Sequence, residues 1–420
     1  MSKHKNIALG IFICAVASSF YIYDYILRVM PEAMTHSLMT TFHVHAAKLG
    51  ILASLFFWGY APMQIPVGIL FDRFSARVLL SLSLFLASLA ALGFAYADHY
   101  AMAGFFRFVM GLTTSFAFIG ALIVGARWFK GHHFALYTGL VQFLGCMGAI
   151  IGIAPVAVLT LHYQWRTASV WIALLGFVLT LLMWLVVREP PKQKQAISTA
   201  RRQQQRAYYR EAFANPQTWW IALYGFAIWA PITIFAVLWG VPFLRDTYHF
   251  SVVTASAKIS VIWLTIAFAG PLVGWLSKHF AHRTIPMISC SAIGCICSLL
   301  LIYFTHLSSA EIILLLIGFG IGAAGLVLPF GLIVDIQHPR ASGVIIGFTN
   351  MAVILGGLVL QPLVGFILEH LGQHVPHKKM LLYSHHAYQM ALLMIPICFL
   401  LALFTSFLIK ETHATMKHRY

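Results

Sequence analysis

Of the 420 residues, 60% are hydrophobic and only 9% are charged, and the mean hydropathy is +0.85. That leaves too little polar surface for a soluble body of this size, so the composition points to a membrane protein. The net charge of +16 does not form one basic face, as a nucleic-acid-binding surface would require, and no nucleic-acid partner is expected.

A bilayer crossing takes about 20 apolar residues. Taken in chain order, the apolar runs predict twelve spans at 7–30, 47–71, 77–97, 100–127, 133–160, 166–187, 217–244, 252–277, 284–305, 310–334, 342–368 and 387–409. Met1 to Lys5 leads into a run too long for a cleavable signal, so the first span is expected to stay. With the N-terminus placed in the cytoplasm, nineteen of the 27 Lys and Arg fall in cytoplasmic loops and tails. Five fall outside (Lys48, Arg166, Arg245, Lys378 and Lys379) and three within spans (Arg28, Arg107 and Lys258). This bias predicts cytoplasmic N- and C-termini. Seven of the nineteen lie between Arg188 and Arg210, in a stretch that reads as a solvated linker able to carry a surface amphipathic helix. The expected organisation is a six-helix half over 1–188, a basic linker over 189–216, a second half over 217–410 and a tail over 411–420.

The halves echo each other at an offset of about 206–208 residues. Gly68-Ile69-Leu70, closing at Arg77, matches Gly274-Trp275-Leu276, closing at Arg283. Gly139, Gln142 and Gly148 match Gly347, Asn350 and Gly356. Paired halves suit a carrier that rocks one bundle against the other around a central site.

The run from Gly68 to Arg77, with Asp72 and Arg73 at its centre, closely resembles the loop signature of the major facilitator superfamily. Arg107 with Gly111 resembles that family's fourth-helix motif, and Gly145, Gly148, Gly152 and Pro155 its fifth-helix motif. The resemblance implies an all-α membrane fold of twelve helices in two pseudo-symmetric six-helix bundles. It also implies a secondary transporter working by alternating access, not an enzyme. Gly68, Asp72, Arg73 and Arg77, with Gly274 and Arg283 in the weaker second copy, would form the gate. The second copy has Lys278 where the acid belongs, which makes the latch asymmetric.

Tyr21 to Pro31, Tyr60 to Gly68 and Leu238 to Leu244 resemble the phagosomal nutrient transporters of intracellular gammaproteobacteria, which import amino acids or nucleosides, and the carboxylate-siderophore importers. Trp128 to Gly131 carries a more distant likeness to lysosomal dipeptide transporters. Ser115 and Cys146 stand where that group has an acid and a base, so dipeptide recognition by those residues is not expected. These likenesses imply a bacterial inner membrane, and a monomer is expected.

On the first span, Tyr21, Asp24, Tyr25 and Arg28 share one arc of the helix. An acid and a base four residues apart can pair, which lowers the cost of holding both in a membrane. Arg28 can bind a carboxylate or phosphate while Asp24 takes up a proton. Alternatively, the pair is static and orders the bundle. Asp24 reads as the only clearly intramembrane acid against Arg28, Arg107 and Lys258, so the cavity is expected to be positive and to take an anionic or zwitterionic solute. Arg107 has either a binding, a proton-relay or a purely structural role, and Lys258 either lines the cavity or snorkels. Gln142 and Asn350 are expected at the substrate, and Tyr224, Trp229, Trp239 and Gln361 are further candidates for the lining.

No cofactor or metal is expected. The six cysteines lie within spans without ligand spacing, and His374, His377, His385 and His386 read as a solvated loop, with metal binding or pH sensing as the other reading. Gly320 to Gly325 spells a dinucleotide-like G-x-G-x-x-G, but it sits inside an apolar helix with no strand before it. The function expected is proton-coupled import of a small carboxylate-bearing metabolite, an amino acid or a citrate-type polycarboxylate. The rival is an exporter driven by proton antiport.

Overall fold

The computed structural model describes residues 3–129, 132–188, 208–279, 283–304, 306–336, 339–372 and 383–410. Among these, twelve helices are long and apolar enough to cross a membrane: α1 (Leu9–Ala33), α2 (Ala46–Phe71), α3 (Ala76–Ala95), α4 (Tyr100–Trp128), α5 (Leu136–His162), α6 (Trp165–Val186), α7 (Pro216–Tyr248), α8 (Val252–Ser277), α9 (Thr284–Tyr303), α10 (Ser309–Ile333), α11 (Val344–Leu371) and α12 (His385–Leu408). Each predicted span matches one of them, with ends within four residues. Two shorter helices, Thr35–Phe42 and 208–214, lie between spans. The second falls in the stretch read as a linker, of which 189–207 lie outside the described residues.

Local chemistry sets the ends. Ser75 and Ser384 accept from backbone amides three residues on, Asn215 accepts from Gln217 ahead of a helix that opens with Pro216, and Ser308 with Glu311 forms a full capping box. His43 and His249, at φ 52° and 57°, close helices in the left-handed conformation.

The two halves use the same packing scheme. In the first, α1 packs on α5, α3 on α6 and α4, and α2 on α4; in the second, α7 packs on α11, α9 on α12 and α10, and α8 on α10. Between halves, α2 meets α11, α5 meets α8, and α1 meets α7. The internal repeat has a packing cause. A Cβ on Gly148 would strike the Ile22 backbone of α1, and one on Gly356 would strike Ala230 of α7, so both equivalent contacts require the smallest residue. A Cβ on Gly320, Gly322 or Gly325 would likewise crowd Thr265 of α8, Gly294 of α9 or Tyr224 of α7, which accounts for the dinucleotide-like glycines.

The halves do not touch along their whole length. We call the end with residues 72–75 the motif end and the end with the turns after α1 and α7 the far end. At the far end, the Ala46 and Ala47 amides that open α2 donate to Tyr383 Oη (3.1 Å) and Glu369 Oε2 (3.0 Å) from the other half. These amides have no intrahelical acceptor, so the second half supplies their cap. Burial pushes the Tyr383 phenol up to about 12. Toward the motif end, the last polar contact of α2 with α11 is Asn350 Nδ2 donating to Gln64 Oε1 at 2.7 Å. One turn further on the same faces, a Cβ on Gly68 or Gly347 would meet nothing within 4 Å. Phe143 and Phe268 join α5 to α8 with ring centroids 5.5 Å apart, and Gly139, one turn beyond, is equally open. Among the described residues the bundles are therefore closed at the far end and parted at the motif end.

Candidate functional site

Asp24 and Arg28 stand in the half of α1 nearer the far end, both buried. Arg28 Nη2 donates to Asp24 Oδ2 at 2.7 Å. The guanidinium carbon lies 4.5 Å from the centre of the Tyr25 ring, 4.7 Å from that of Tyr60 and 5.6 Å from that of Phe56. The charge is thus held by one carboxylate and a set of π faces. Tyr21 meets Tyr25 edge-on at 5.1 Å, and its hydroxyl donates to Gln142 Oε1 of α5 at 3.4 Å. Tyr25 also meets Trp263 of α8 at 5.5 Å, and Trp263 meets Trp229 of α7 at 6.0 Å. One aromatic chain therefore links Arg28 of the first half to the second, a short way from the Gln64–Asn350 bridge. Gln64, Phe56, Tyr60 and Trp263 were missed in the sequence because contacts between one helix and another have no periodic signature.

Arg107 has a different task. Pro31 lies inside α1 and has no N–H, which leaves the carbonyl of Leu27, four residues earlier, without its helical donor. Arg107 Nη1 donates to that carbonyl at 2.6 Å, and Nη2 reaches the Arg28 carbonyl at 3.5 Å. Its ring neighbour is Phe56, at 4.9 Å. The residue mends α1 directly beside the Asp24–Arg28 pair. Among its open roles the structural one has the contacts to support it.

Lys258 is remote from this group. Its Nζ donates to Ser309 Oγ and to the Ser309 carbonyl at 3.2 Å, and it lies 4.8 Å from the Phe250 ring, joining α8 to the start of α10 at the far end. The structure does not bring it together with Arg28, Gln142 or Asn350. Tyr224 packs fully buried against Gly325, and Trp239 donates to the Gln361 carbonyl at 3.2 Å. Gln361 in turn donates to the Thr233 carbonyl at 2.6 Å. These three tie the second half together and do not line the centre.

Of the residues expected to form a gate, Gly68 is open as described, Arg73 is exposed, and Arg77 stacks on Trp184 of α6 at 4.4 Å. Gly274 sits near Val327, and the Arg283 guanidinium lies against Gly331. The side chains of Asp72 and Lys278 lie outside the described residues, as do His374 and His377. His385 packs against Phe243 and lies 3.4 Å from Thr247 Oγ1. Among the described residues no group of His, Cys, Asp and Glu could hold a metal, and five of the six cysteines are buried in helix packing.

The sequence reading of Asp24 as the only clearly intramembrane acid needs correction. α1 continues past Pro31, because Arg107 satisfies the carbonyl that proline frees, and so carries Glu32 into the buried interior at 1% exposure. Glu32 Oε1 accepts from the Val241 amide of α7 at 3.1 Å. That amide follows a π-helical turn, Phe235–Trp239, and the carbonyl five residues before it, at Ala236, accepts instead from Trp263 Nε1 at 3.1 Å. The amide and carbonyl that a further π-type bond would join are thus taken by α1 and α8, one each. A proline followed by an acid one turn after Arg28 was the available signal.

Known proteins place this architecture. The chain is 26% identical over 294 residues to the uncharacterized transporter YybO of Bacillus subtilis, covering 66% of each. It is 28% identical over 156 residues to the probable galactarate/D-glucarate transporter GarP of Escherichia coli, covering 34% of each. It is 23% identical over 371 residues to the probable galactarate/D-glucarate transporter GudP of B. subtilis, covering 78% of each. The chain therefore spans 66% and 34% of the length of the first two relatives and 78% of the third. The crystal structure of a bacterial homologue of the human lysosomal transporter Spinster, inward-facing and unoccupied, superposes with a TM-score of 0.78 at 17% identity, covering 97% of this chain and 98% of that one. The nucleoside transporter NupG gives 0.73 at 15%, covering 95% and 100%; at such identities both show the fold alone. The family description Major Facilitator Superfamily matches residues 7–361, so the chain is a multi-pass membrane transporter, not an enzyme, and belongs to the Major Facilitator Superfamily.

Proposed function

We propose that this protein is a proton-coupled importer of a small carboxylate-bearing solute, bound at Arg28 between the two halves and released by alternating access. The observation that carries the reading is the buried Arg28, held by Asp24 and the faces of Tyr25 and Tyr60 beside the aromatic chain that links the halves. A guanidinium presents a planar fork that matches a carboxylate in two places. A solute carboxylate that takes over from Asp24 leaves Asp24 to bind a proton, which couples the two events. Tyr21, Tyr25, Gln142 and Asn350 are then the polar and aromatic groups that orient the rest of the solute. Arg107 serves by holding α1 in shape, and Lys258 lies outside the binding step.

The names of the relatives, which include galactarate/D-glucarate transporters and an anion transporter of rice, support a carboxylate cargo. The likeness of the first, second and seventh spans to phagosomal nutrient transporters and carboxylate-siderophore importers supports an amino acid or a polycarboxylate. The Lys and Arg bias supports placing the motif end on the cytoplasmic side, and on that reading, in a bacterial inner membrane, the present state is inward-facing. At that end Gly68, Asp72, Arg73 and Arg77, with Gly274 and Arg283, form the gate that must close before the far end opens.

A thermal-shift screen of the purified protein against sugar diacids, amino acids and citrate, repeated on Arg28→Ala, tests the reading. Stabilisation by a carboxylate solute that disappears in the variant is the expected result. Stabilisation only by cationic or uncharged solutes, unchanged in the variant, would reject it.

A further inference from the structure

Glu32 takes no part in the central site, yet its placement is specific. It is a buried carboxylate at the far end of α1, in the seam between the halves, and it bonds to the Val241 amide next to the π-helical turn of α7. Its Oε2 is buried without a hydrogen-bond partner. A Cβ on Gly240 would meet Ile259 Cδ1 at 2.6 Å and the Phe235 carbonyl at 2.7 Å, and Glu32 Oε1 lies 3.2 Å from the same point, so the carboxylate packs close to a position that α7 keeps as glycine. Among the described residues no basic group lies within ion-pair distance of it.

Glu32 also lies on the wall of a recess of about 120 Å³ that opens at the far surface, between α1, α5, α7 and α8, with His36 and Leu161 exposed at its rim. The ionisable groups around that recess are His36, just after α1, and Arg245 of α7. α5 contributes Thr160 and Leu161, and α8 contributes Val252, none of them ionisable at these pH values. Arg28, one turn back on α1, is committed to Asp24. An ionised carboxylate buried there, with only the neutral backbone amides of Gly240 and Val241 beside it and no counter-charge, is costly, whereas the neutral acid keeps the Val241 bond through its carbonyl oxygen. When α1 and α7 part, the Val241 bond is lost and water reaches the carboxylate, which favours the charged form.

We propose that Glu32 is a second proton-binding site of the carrier, a latch that is protonated while the far gate is sealed and ionised when that gate is open. Resting on the alternating-access reading above, it makes sealing take up one proton from water on the far side and opening return it there. Acid on that side therefore favours the sealed state, and alkali favours the open one.

The test is a pair of distance measurements by electron paramagnetic resonance on the full chain in lipid nanodiscs. Spin labels enter through ketone-bearing residues, so the native cysteines stay in place. Asp98 and Ala310, both exposed, report the far end, and Arg188 and Lys410, both exposed, report the motif end. From about pH 5.5 to about pH 8.5, the ratio of far-open to far-sealed wild-type protein should rise by about tenfold or more, with the motif-end pair closing in step. Glu32→Gln, which keeps the acceptor and cannot ionise, should hold the far end sealed at both pH values, and Glu32→Asp should restore the response. A response in Glu32→Gln equal to wild type, or no pH response in wild type while added D-glucarate, L-amino acid or citrate still moves both pairs, would overturn the latch alone. If neither pair moves with pH or with any of these solutes, the alternating-access reading fails and the latch with it.

Discussion

Arg107 donates to the one carbonyl of α1 that Pro31 leaves without a helical donor, that of Leu27. The two residues are therefore energetically coupled, although 76 positions separate them in the sequence. Pro31→Ala returns an amide to that carbonyl and makes the guanidinium redundant. Arg107→Met should cost about 2–3 kcal/mol in wild type, the scale of a charged hydrogen bond left unmade, and about 1–2 kcal/mol less in Pro31→Ala. Unfolding of the four proteins in one detergent checks this, and equal costs in both backgrounds would mean that Arg107 acts by another route.

Removing one partner of a buried ion pair leaves a charge without compensation. Arg28→Ala should lower stability by about 3–5 kcal/mol, and Asp24→Asn/Arg28→Met, which removes both charges, should recover most of that. Asp24→Asn alone should fold and bind the carboxylate solute but lose its dependence on a proton gradient. Thermal unfolding and vesicle uptake read the two effects separately.

The motif end must close during a transport cycle, and the glycines there have room only in the present state. Gly139→Leu and Gly347→Leu should unfold within about 0.5 kcal/mol of wild type, yet transport should be lost because the larger side chains prop the bundles apart. Gly111→Ala is the contrast. Its Cβ would strike the Phe56 carbonyl where α2 crosses α4, so it should cost about 1–3 kcal/mol of stability.

The bridge from Asn350 to Gln64 spans the halves at the last point where α2 and α11 meet. Asn350→Ala should weaken that closure by about 1 kcal/mol, a shift of about fivefold in the balance of states. The spin-label pair at Asp98 and Ala310 should show it as a larger far-open fraction at fixed pH.

Much of this was legible in the sequence because the bilayer imposes a long, simple pattern. Twelve apolar runs set twelve helices, and the repeat of Gly148 in Gly356 marked two equivalent close approaches, α5 on α1 and α11 on α7. The Asp24–Arg28 pair was readable because i and i+4 share a helix face. What remained hidden depends on tertiary exchange of backbone bonds. Nothing local says that Arg107 completes the ladder broken at Pro31, or that Glu32 and Trp263 fill the one opened by the π turn of α7. Lys258 looked like a cavity charge because its depth in the apolar run was visible, while the Ser309 hydroxyl that holds it 51 positions away was not.

The most direct test of the central claim is uptake by the purified protein in sealed vesicles with an acidic exterior and a neutral interior, offered labelled D-glucarate, L-amino acids and citrate. The account predicts that at least one carboxylate solute accumulates above its external level, that a protonophore abolishes the accumulation, and that Arg28→Ala abolishes uptake altogether. Accumulation that ignores the proton gradient, solute driven outward by it, or uptake of a carboxylate that survives Arg28→Ala would contradict it.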